Sequence, residues 1–221
     1  MWIKICGNTN LEDVQLAVEL GADALGFVFA ESRRQVTAEQ VARISPHLPS
    51  NVERVGVFDS RDAEEIAGIV REAGLTAVQL HSGLDLGLAG RLRELLGDGT
   101  GLIQTLHWTV GADNGDPLGF GLRRIASAGL MDRVLIDSRV GVAGGGTGVA
   151  FDWRAARAVL VENAGDLRVI AAGGLRPENV AEAIRKLRPW GVDVVSGVET
   201  APGRKDPERL AAFLRIARSQ P

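Results

Sequence analysis

Residues 167–197 read LRVIAAGGLRPENVAEAIRKLRPWGVDVVSG, and this stretch holds one whole unit of the architecture. Residues 167–172 (LRVIAA) form an apolar run without the alternation expected of a strand that has one face in water. Gly173-Gly174 breaks the run, and Pro177 suits the first turn of a helix. Val180, Ala183, Ile184 and Leu187 then make an apolar stripe at helical spacing. A second apolar run, 192–195 (VDVV), ends at Ser196-Gly197. Strand, helix and strand, with both strands buried on two faces, predict a parallel pair joined by a crossover.

The unit recurs along the chain. Further strands are expected at 2–6 (WIKIC), 24–29 (ALGFVF), 53–58 (ERVGVF), 77–81 (AVQLH), 101–106 (GLIQTL) and 133–137 (RVLID). Amphipathic segments lie between them. Asn10 precedes Leu11, Val14, Leu16, Val18 and Leu20, and Gly21 closes that helix. Ile66, Ile69 and Val70 stripe residues 62–73 ahead of Gly74; Leu88, Leu92, Leu95 and Leu96 stripe residues 84–96 ahead of Gly97. The last helix, 207–218, opens at Pro207 and carries Leu210, Phe213, Leu214 and Ala217. Eight strands alternating with eight helices predict an α/β fold, a (β/α)8 TIM barrel occupying residues 1–221 as a single domain. An open, doubly wound sheet is the alternative. Loops at 30–36, 107–117 and 138–150 are expected on the catalytic face.

The 221 residues carry 25 Lys and Arg against 28 Asp and Glu, for a net charge of −3, and 45% are hydrophobic. That apolar fraction excludes intrinsic disorder, and the charge balance argues against nucleic acid or an anionic membrane as partner. The single cysteine, Cys6, excludes an internal disulfide, and three scattered histidines make no metal site. The apolar run 24–30 (ALGFVFA) is far shorter than the ~20 residues that span a bilayer. No signal-peptide pattern is visible, and a cytoplasmic location is expected.

In a (β/α)8 barrel the chemistry gathers at the carboxyl ends of the strands. Cys6 ends strand 1, Arg33 and Arg34 follow strand 2, His81 ends strand 4 and Asp137 ends strand 6. Gly173-Gly174 and Ser196-Gly197 follow strands 7 and 8, where such barrels bind phosphate on backbone N–H groups. The same glycines would also serve simple tight turns. No Walker motif and no Gly-x-Gly-x-x-Gly follows strand 1, which disfavours a nucleotide. Cys6 reads either as a small buried hydrophobe or as a general base, and Asp137 as a loop cap or a general acid. Three strand steps of ~4.8 Å separate them, an arc of ~14 Å that a sugar-sized substrate can bridge. One arginine of the Arg33-Arg34 pair suits a carboxylate on a ligand. His81 reads as a shuttle or a loop-bonding residue, and Trp153 and Trp190 read as packing.

The motifs together resemble the phosphoribosylanthranilate isomerase family of tryptophan biosynthesis. They are Lys4-Ile5-Cys6-Gly7 with Thr9-Asn10, Gly21-Ala22-Asp23-Ala24, Gly26-Phe27-Val28-Phe29 and Ser32-Arg33-Arg34. Val55-Gly56-Val57-Phe58, Val78-Gln79-Leu80-His81 and Gly145-Gly146-Thr147-Gly148 with Phe151-Asp152-Trp153 continue the series. Ala172-Gly173-Gly174-Leu175, Pro177-Glu178-Asn179-Val180, Asp193, Ser196-Gly197-Val198-Glu199, Pro202-Gly203 and Lys205-Asp206 complete it. The resemblance implies a cofactor-free, metal-free Amadori rearrangement with Cys6 as general base and Asp137 as general acid. It implies a phosphate held at Gly173, Gly174, Ser196 and Gly197, an anthranilate carboxylate near Arg34 and sugar hydroxyls near Asp193. The implied partner is a small phosphosugar bearing an anthranilate, and the chain is compatible with a monomer or a homodimer.

Departures from the family pattern fall at Val149-Ala150, Ser82, Val195 and Gln104, and in a longer 107–117 loop. Other phosphosugar barrels of histidine or tryptophan biosynthesis are the competing enzymes, but they are expected to carry aspartate, lysine or glutamate where this chain has Cys6 and Gln104. A catalytically silent phosphate-binding barrel would have no use for both Cys6 and Asp137.

Overall fold

The computed structural model describes residues 1–110, 115–140 and 153–220. Eight parallel strands close into a barrel in sequence order: β1 (Trp2–Ile5), β2 (Ala24–Val28), β3 (Glu53–Phe58), β4 (Ala77–Leu80), β5 (Gly101–Val110), β6 (Arg133–Val140), β7 (Arg168–Ala172) and β8 (Gly191–Val194). β1 completes the ring by pairing with β8, from Trp2 opposite Gly191 to Ile5 opposite Val194. The helices are α1 (Leu11–Glu19), α2 (Ala38–Ile44), α3 (Ala63–Ala73), α4 (Leu86–Leu96), α5 (Gly115–Ala128), α6 (Trp153–Asn163), α7 (Val180–Leu187) and α8 (Pro207–Arg218). A two-stranded hairpin, β9 (Glu199–Ala201) with β10 (Arg204–Lys205), lies between β8 and α8.

The unbroken apolar runs follow from burial on both faces. Outward residues such as Ile3, Ile5, Leu25, Phe27, Leu80 and Leu102 pack under the helices. Inward residues Ala24, Val55, Ala77, Ile103, Leu135, Ile170 and Ala172 fill the barrel as a separate cluster. At the amino-terminal floor the Trp2 and Trp190 rings stack with centroids 5.2 Å apart. Arg133 and Arg168 lie over those rings, at 5.7 and 5.3 Å, which gives Trp190 the packing role expected of it. Gly101 makes room there, because a Cβ at that position would sit 2.0 Å from Arg133 Nη2.

Side-chain caps start the helices where the sequence indicates. Asn10 accepts a hydrogen bond from Asp13 N at 2.9 Å, and Asp62, Asp85 and Asp206 act likewise on α3, α4 and α8. Thr37 and Gln40 form a reciprocal capping box on α2. Gly74 ends α3 in the left-handed region at φ 65°.

Three boundaries differ from expectation. β5 and β6 continue their pairing beyond His107 and Asp137 to Val110 and Val140, so that residues 107–110 and 138–140 are strand. His107-Trp108-Thr109-Val110 is a stretch of good strand formers whose interleaved polar residues read as loop. Helix α7 opens at Val180, not at Pro177, which sits in the preceding turn. Asn179 shapes that turn: its Oδ1 accepts from Arg176 N at 2.8 Å and its Nδ2 donates to Gly174 O at 3.0 Å. The motif at 145–148, Val149-Ala150 and Phe151-Asp152 fall outside the described residues. Among the described residues no helix is long and apolar enough to cross a membrane.

Candidate active site

The inward face of β1 presents Trp2, Lys4 and then, just past the strand, Cys6. The Cys6 N–H donates to Val194 O at 2.9 Å, which extends the β1–β8 pairing by one residue. The sulfur leans toward β2, where a Cβ on Gly26 would lie 2.4 Å from Sγ and 2.9 Å from Lys4 Cε. Only glycine fits at that inward position. Cys6 is 4% exposed, deeper than a strand-end position suggests. Burial pushes its thiol above the ordinary value, against the opposing pull of the Lys4 charge. Lys4 is wholly buried and donates to Asp193 Oδ1 at 2.8 Å. Burial acts to lower the Lys4 value, but Asp193 and Cys6 together outweigh it and keep the ammonium charged.

Asp137 stands across the barrel on the inward face of β6, three residues before the strand ends, with its side chain 22% exposed. His107 is its register partner on β5, with Nδ1 3.9 Å from Asp137 Oδ2. His81, one residue past β4, meets the His107 ring edge-on with centroids 5.3 Å apart. Below them Gln79 Nε2 donates to Thr105 Oγ1 at 3.1 Å. Gln104, by contrast, binds the main chain at the end of β4, donating to Ser82 O at 3.0 Å and Leu80 O at 3.3 Å. One side of the mouth is therefore imidazole and carboxyl, the other thiol and ammonium. Two strands, β7 and β8, lie between Asp137 and Cys6 in the ring.

Arg34 extends from the loop after β2 and crosses Gly7, whose φ is 72° and where a Cβ would lie 2.6 Å from Arg34 Cδ, so that only glycine leaves space for the arginine stem. Its guanidinium forks onto Glu199, with Nε 3.0 Å from each carboxylate oxygen and Nη2 2.6 Å from Oε2. Glu199 also receives Lys205 Nζ at 3.1 Å and Gly203 N at 3.2 Å. Burial works to raise the Glu199 carboxyl, but hydrogen bonds from Arg34 and the Lys205 charge hold it below the usual carboxylate range. Lys205 in turn donates to Cys6 O. This buried net ties the β9–β10 hairpin to the end of β1. Arg33, the neighbouring candidate, is exposed.

The loops after β7 and β8 meet backbone to backbone. Gly173 and Gly174 both take positive φ, 83° and 64°. Ser196–Val198 forms a single 3-10 turn, and the first N–H groups of such a turn have no partner within it. A Cβ on Gly197 would come 1.9 Å from Leu175 O. Lys4, Glu199 and Lys205 were given no role from sequence. A lysine inside an otherwise apolar strand is the one signal that singles out Lys4.

A closed parallel barrel with thiol, carboxyl and imidazole groups gathered at the carboxyl ends of its strands is the layout of a (β/α)8-barrel enzyme. The sequence profile of the family described as N-(5'phosphoribosyl)anthranilate (PRA) isomerase matches residues 3–215. The isomerase of Pelobacter propionicus is 39% identical, with 98% of this chain and 95% of that protein covered. That of Bacillus cereus strain AH820 is 41% identical over 97% and 96%. The crystal structure from Thermotoga maritima superposes with a TM-score of 0.84 at 35% identity, covering 99% and 98%. A phosphoribosylanthranilate isomerase crystallised with reduced 1-(o-carboxyphenylamino)-1-deoxyribulose 5-phosphate gives 0.81 at 34%, with the same coverage. The chain belongs to the N-(5'-phosphoribosyl)anthranilate isomerase family and is an isomerase of tryptophan biosynthesis.

Proposed function

We propose that residues 1–221 act as one unit that converts N-(5-phosphoribosyl)anthranilate into 1-(2-carboxyphenylamino)-1-deoxyribulose 5-phosphate, with Asp137 as general acid and Cys6 as general base. The observation that carries this reading is the inward placement of Cys6 and Asp137 on opposite sides of one barrel mouth. Asp137 gives a proton to the furanose ring oxygen, the ring C–O bond breaks, and the nitrogen lone pair forms the iminium. That iminium acidifies the C2 hydrogen. Cys6, as thiolate, takes that proton, and the C–H pair moves to make an enolamine, which tautomerises to the ketone. The substrate nitrogen is the electron sink, so the chemistry calls on no metal or organic cofactor. Each of the two groups contributes on the order of 10²–10⁴-fold.

The phosphate is assigned to the backbone of Gly173, Gly174, Ser196 and Gly197, at the loops where barrels of this kind bind it. Arg34 has one edge fixed by Glu199 and is assigned to the anthranilate carboxylate through its remaining donors. Asp193 has its Oδ1 on Lys4, and its other oxygen is assigned to a sugar hydroxyl. Purified protein mixed with the substrate should extinguish the anthranilate-type fluorescence of N-(5-phosphoribosyl)anthranilate as product accumulates; a flat trace would end this reading. Arg34→Lys keeps the charge but loses the fork. It should raise KM about tenfold, worth about 1.4 kcal/mol of binding, with kcat changed much less in steady-state kinetics.

A further inference from the structure

We infer that Lys4 is a positioning residue for this reaction: its ammonium, anchored by Asp193, is the fixed positive charge beside which the Cys6 sulfur becomes the base. The inference rests on the assignment of Cys6 as base. Lys4 and Cys6 share the inward face of β1 two residues apart, and both close on the vacant Cβ position of Gly26, Sγ at 2.4 Å and Lys4 Cε at 2.9 Å. Asp193 grips Nζ at 2.8 Å from the neighbouring strand. A buried ion pair of this sort is a poor source of stability, since desolvation offsets most of the attraction and an apolar pair often does as well. Its placement against the thiol gives it a different use.

Among the described residues the charged groups that act on the sulfur are Lys4, Asp193 and Lys205, with Arg34 also in range. Burial, and after it the Asp193 charge, oppose the thiolate, and of the cations that counter them Lys4 acts most strongly. Lys205 is divided between Glu199 and the Cys6 carbonyl, and Arg34 is taken up by Glu199. Lys4 is also bonded to a carboxylate, but it is the cation that shares the inward face of β1 with the sulfur and closes with it on Gly26. Asp193 holds the Lys4 ammonium by a hydrogen bond at 2.8 Å, so the cation stays in place while the sulfur gains and loses the substrate proton.

The sequence provides a clean readout. It has one cysteine and no tyrosine, so a pH-dependent far-ultraviolet thiolate absorbance belongs to Cys6 without a tyrosinate background. The thiolate titration and the acid limb of kcat/KM are to be measured together for the wild-type protein, Lys4→Met and Lys4→Gln. The Gln variant keeps a donor for Asp193 and covers the case in which Lys4→Met fails to fold. Removing the charge should move the thiolate midpoint up by about one unit or more, move the acid limb with it, and lower kcat/KM near neutral pH about tenfold or more. A folded variant with an unmoved thiolate midpoint overturns the role of Lys4 whatever the base is. A midpoint that moves while the acid limb stays in place overturns the assignment of Cys6 as base, and this inference with it.

Discussion

Cys6→Ala and Asp137→Asn are each expected to reduce kcat by about 10²–10⁴-fold while leaving affinity for a phosphate-bearing product analogue close to that of the wild-type protein. The loops assigned to the phosphate follow β7 and β8 and share no side chain with either residue, so binding and chemistry should separate. Asparagine preserves the shape of Asp137 but has no carboxyl proton to give to the ring oxygen. Alanine at position 6 removes a single heavy atom from a well-packed site, a cost of about 1 kcal/mol of stability that leaves the fold intact. Because acid and base act on one reaction coordinate, the double variant should lose much less than the product of the two single losses. Steady-state kinetics with calorimetric titration of the analogue reads both quantities. Near-normal turnover in Cys6→Ala would remove the base; near-normal turnover in Asp137→Asn would remove the acid.

Gly197→Ala is the second substitution with a large expected effect. The new methyl would lie 1.9 Å from Leu175 O, 2.9 Å from the Leu175 carbonyl carbon and 3.0 Å from Arg176 Cα. These are backbone atoms, which cannot rotate aside as the tip of a side chain can. The loops after β7 and β8 must therefore separate. Overpacking of this kind costs about 1–3 kcal/mol, or roughly 2–4 °C in Tm for each kcal/mol in a chain of this size. The same separation spreads the proposed phosphate donors, so KM should rise at least about tenfold, or about 1.4 kcal/mol. Gly99→Ala is the control, because nothing lies within 4 Å of its Cβ position. Thermal melts and KM for the two variants should diverge; a Gly197→Ala protein with wild-type KM would break the link between loop contact and phosphate binding.

Much of this architecture can be read from residue order, because its cause is local. Strands buried on two faces need apolar runs, and caps such as Asn10 and Asp206 mark helix starts by their own hydrogen bonds. The site is legible only in one dimension. The apolar runs that lead into Cys6 and Asp137 point both toward the mouth, although β6 runs three residues past Asp137, and what packs over a residue depends on strands and loops remote in sequence. Cys6 lies against β2 at Gly26, and Arg34 and Val195 close over its neighbour Gly7, contacts that no pattern around residue 6 reveals. Arg34 was readable as a carboxylate ligand, but its Glu199 partner lies 165 residues away. The extension of β5 and β6 was missed because His107 and Ser138 look like loop residues until each finds a partner opposite it.

The ring is completed by β1 on β8, and its Lys4–Asp193 bond joins residues 189 positions apart. During synthesis the first strand leaves the ribosome with no neighbour on one side, and its partner follows about 10–40 s later at roughly 5–20 residues per second. Over that interval Lys4 has no counter-charge and the edge of β1 is open to other chains. On the role inferred for Lys4, a nascent polypeptide that has not reached β8 lacks the Asp193 that fixes the lysine beside its thiol. Translation that stalls before residue 191 would leave an inert fragment for chaperones to shield, and activity would arrive in one step with the last staves of the barrel.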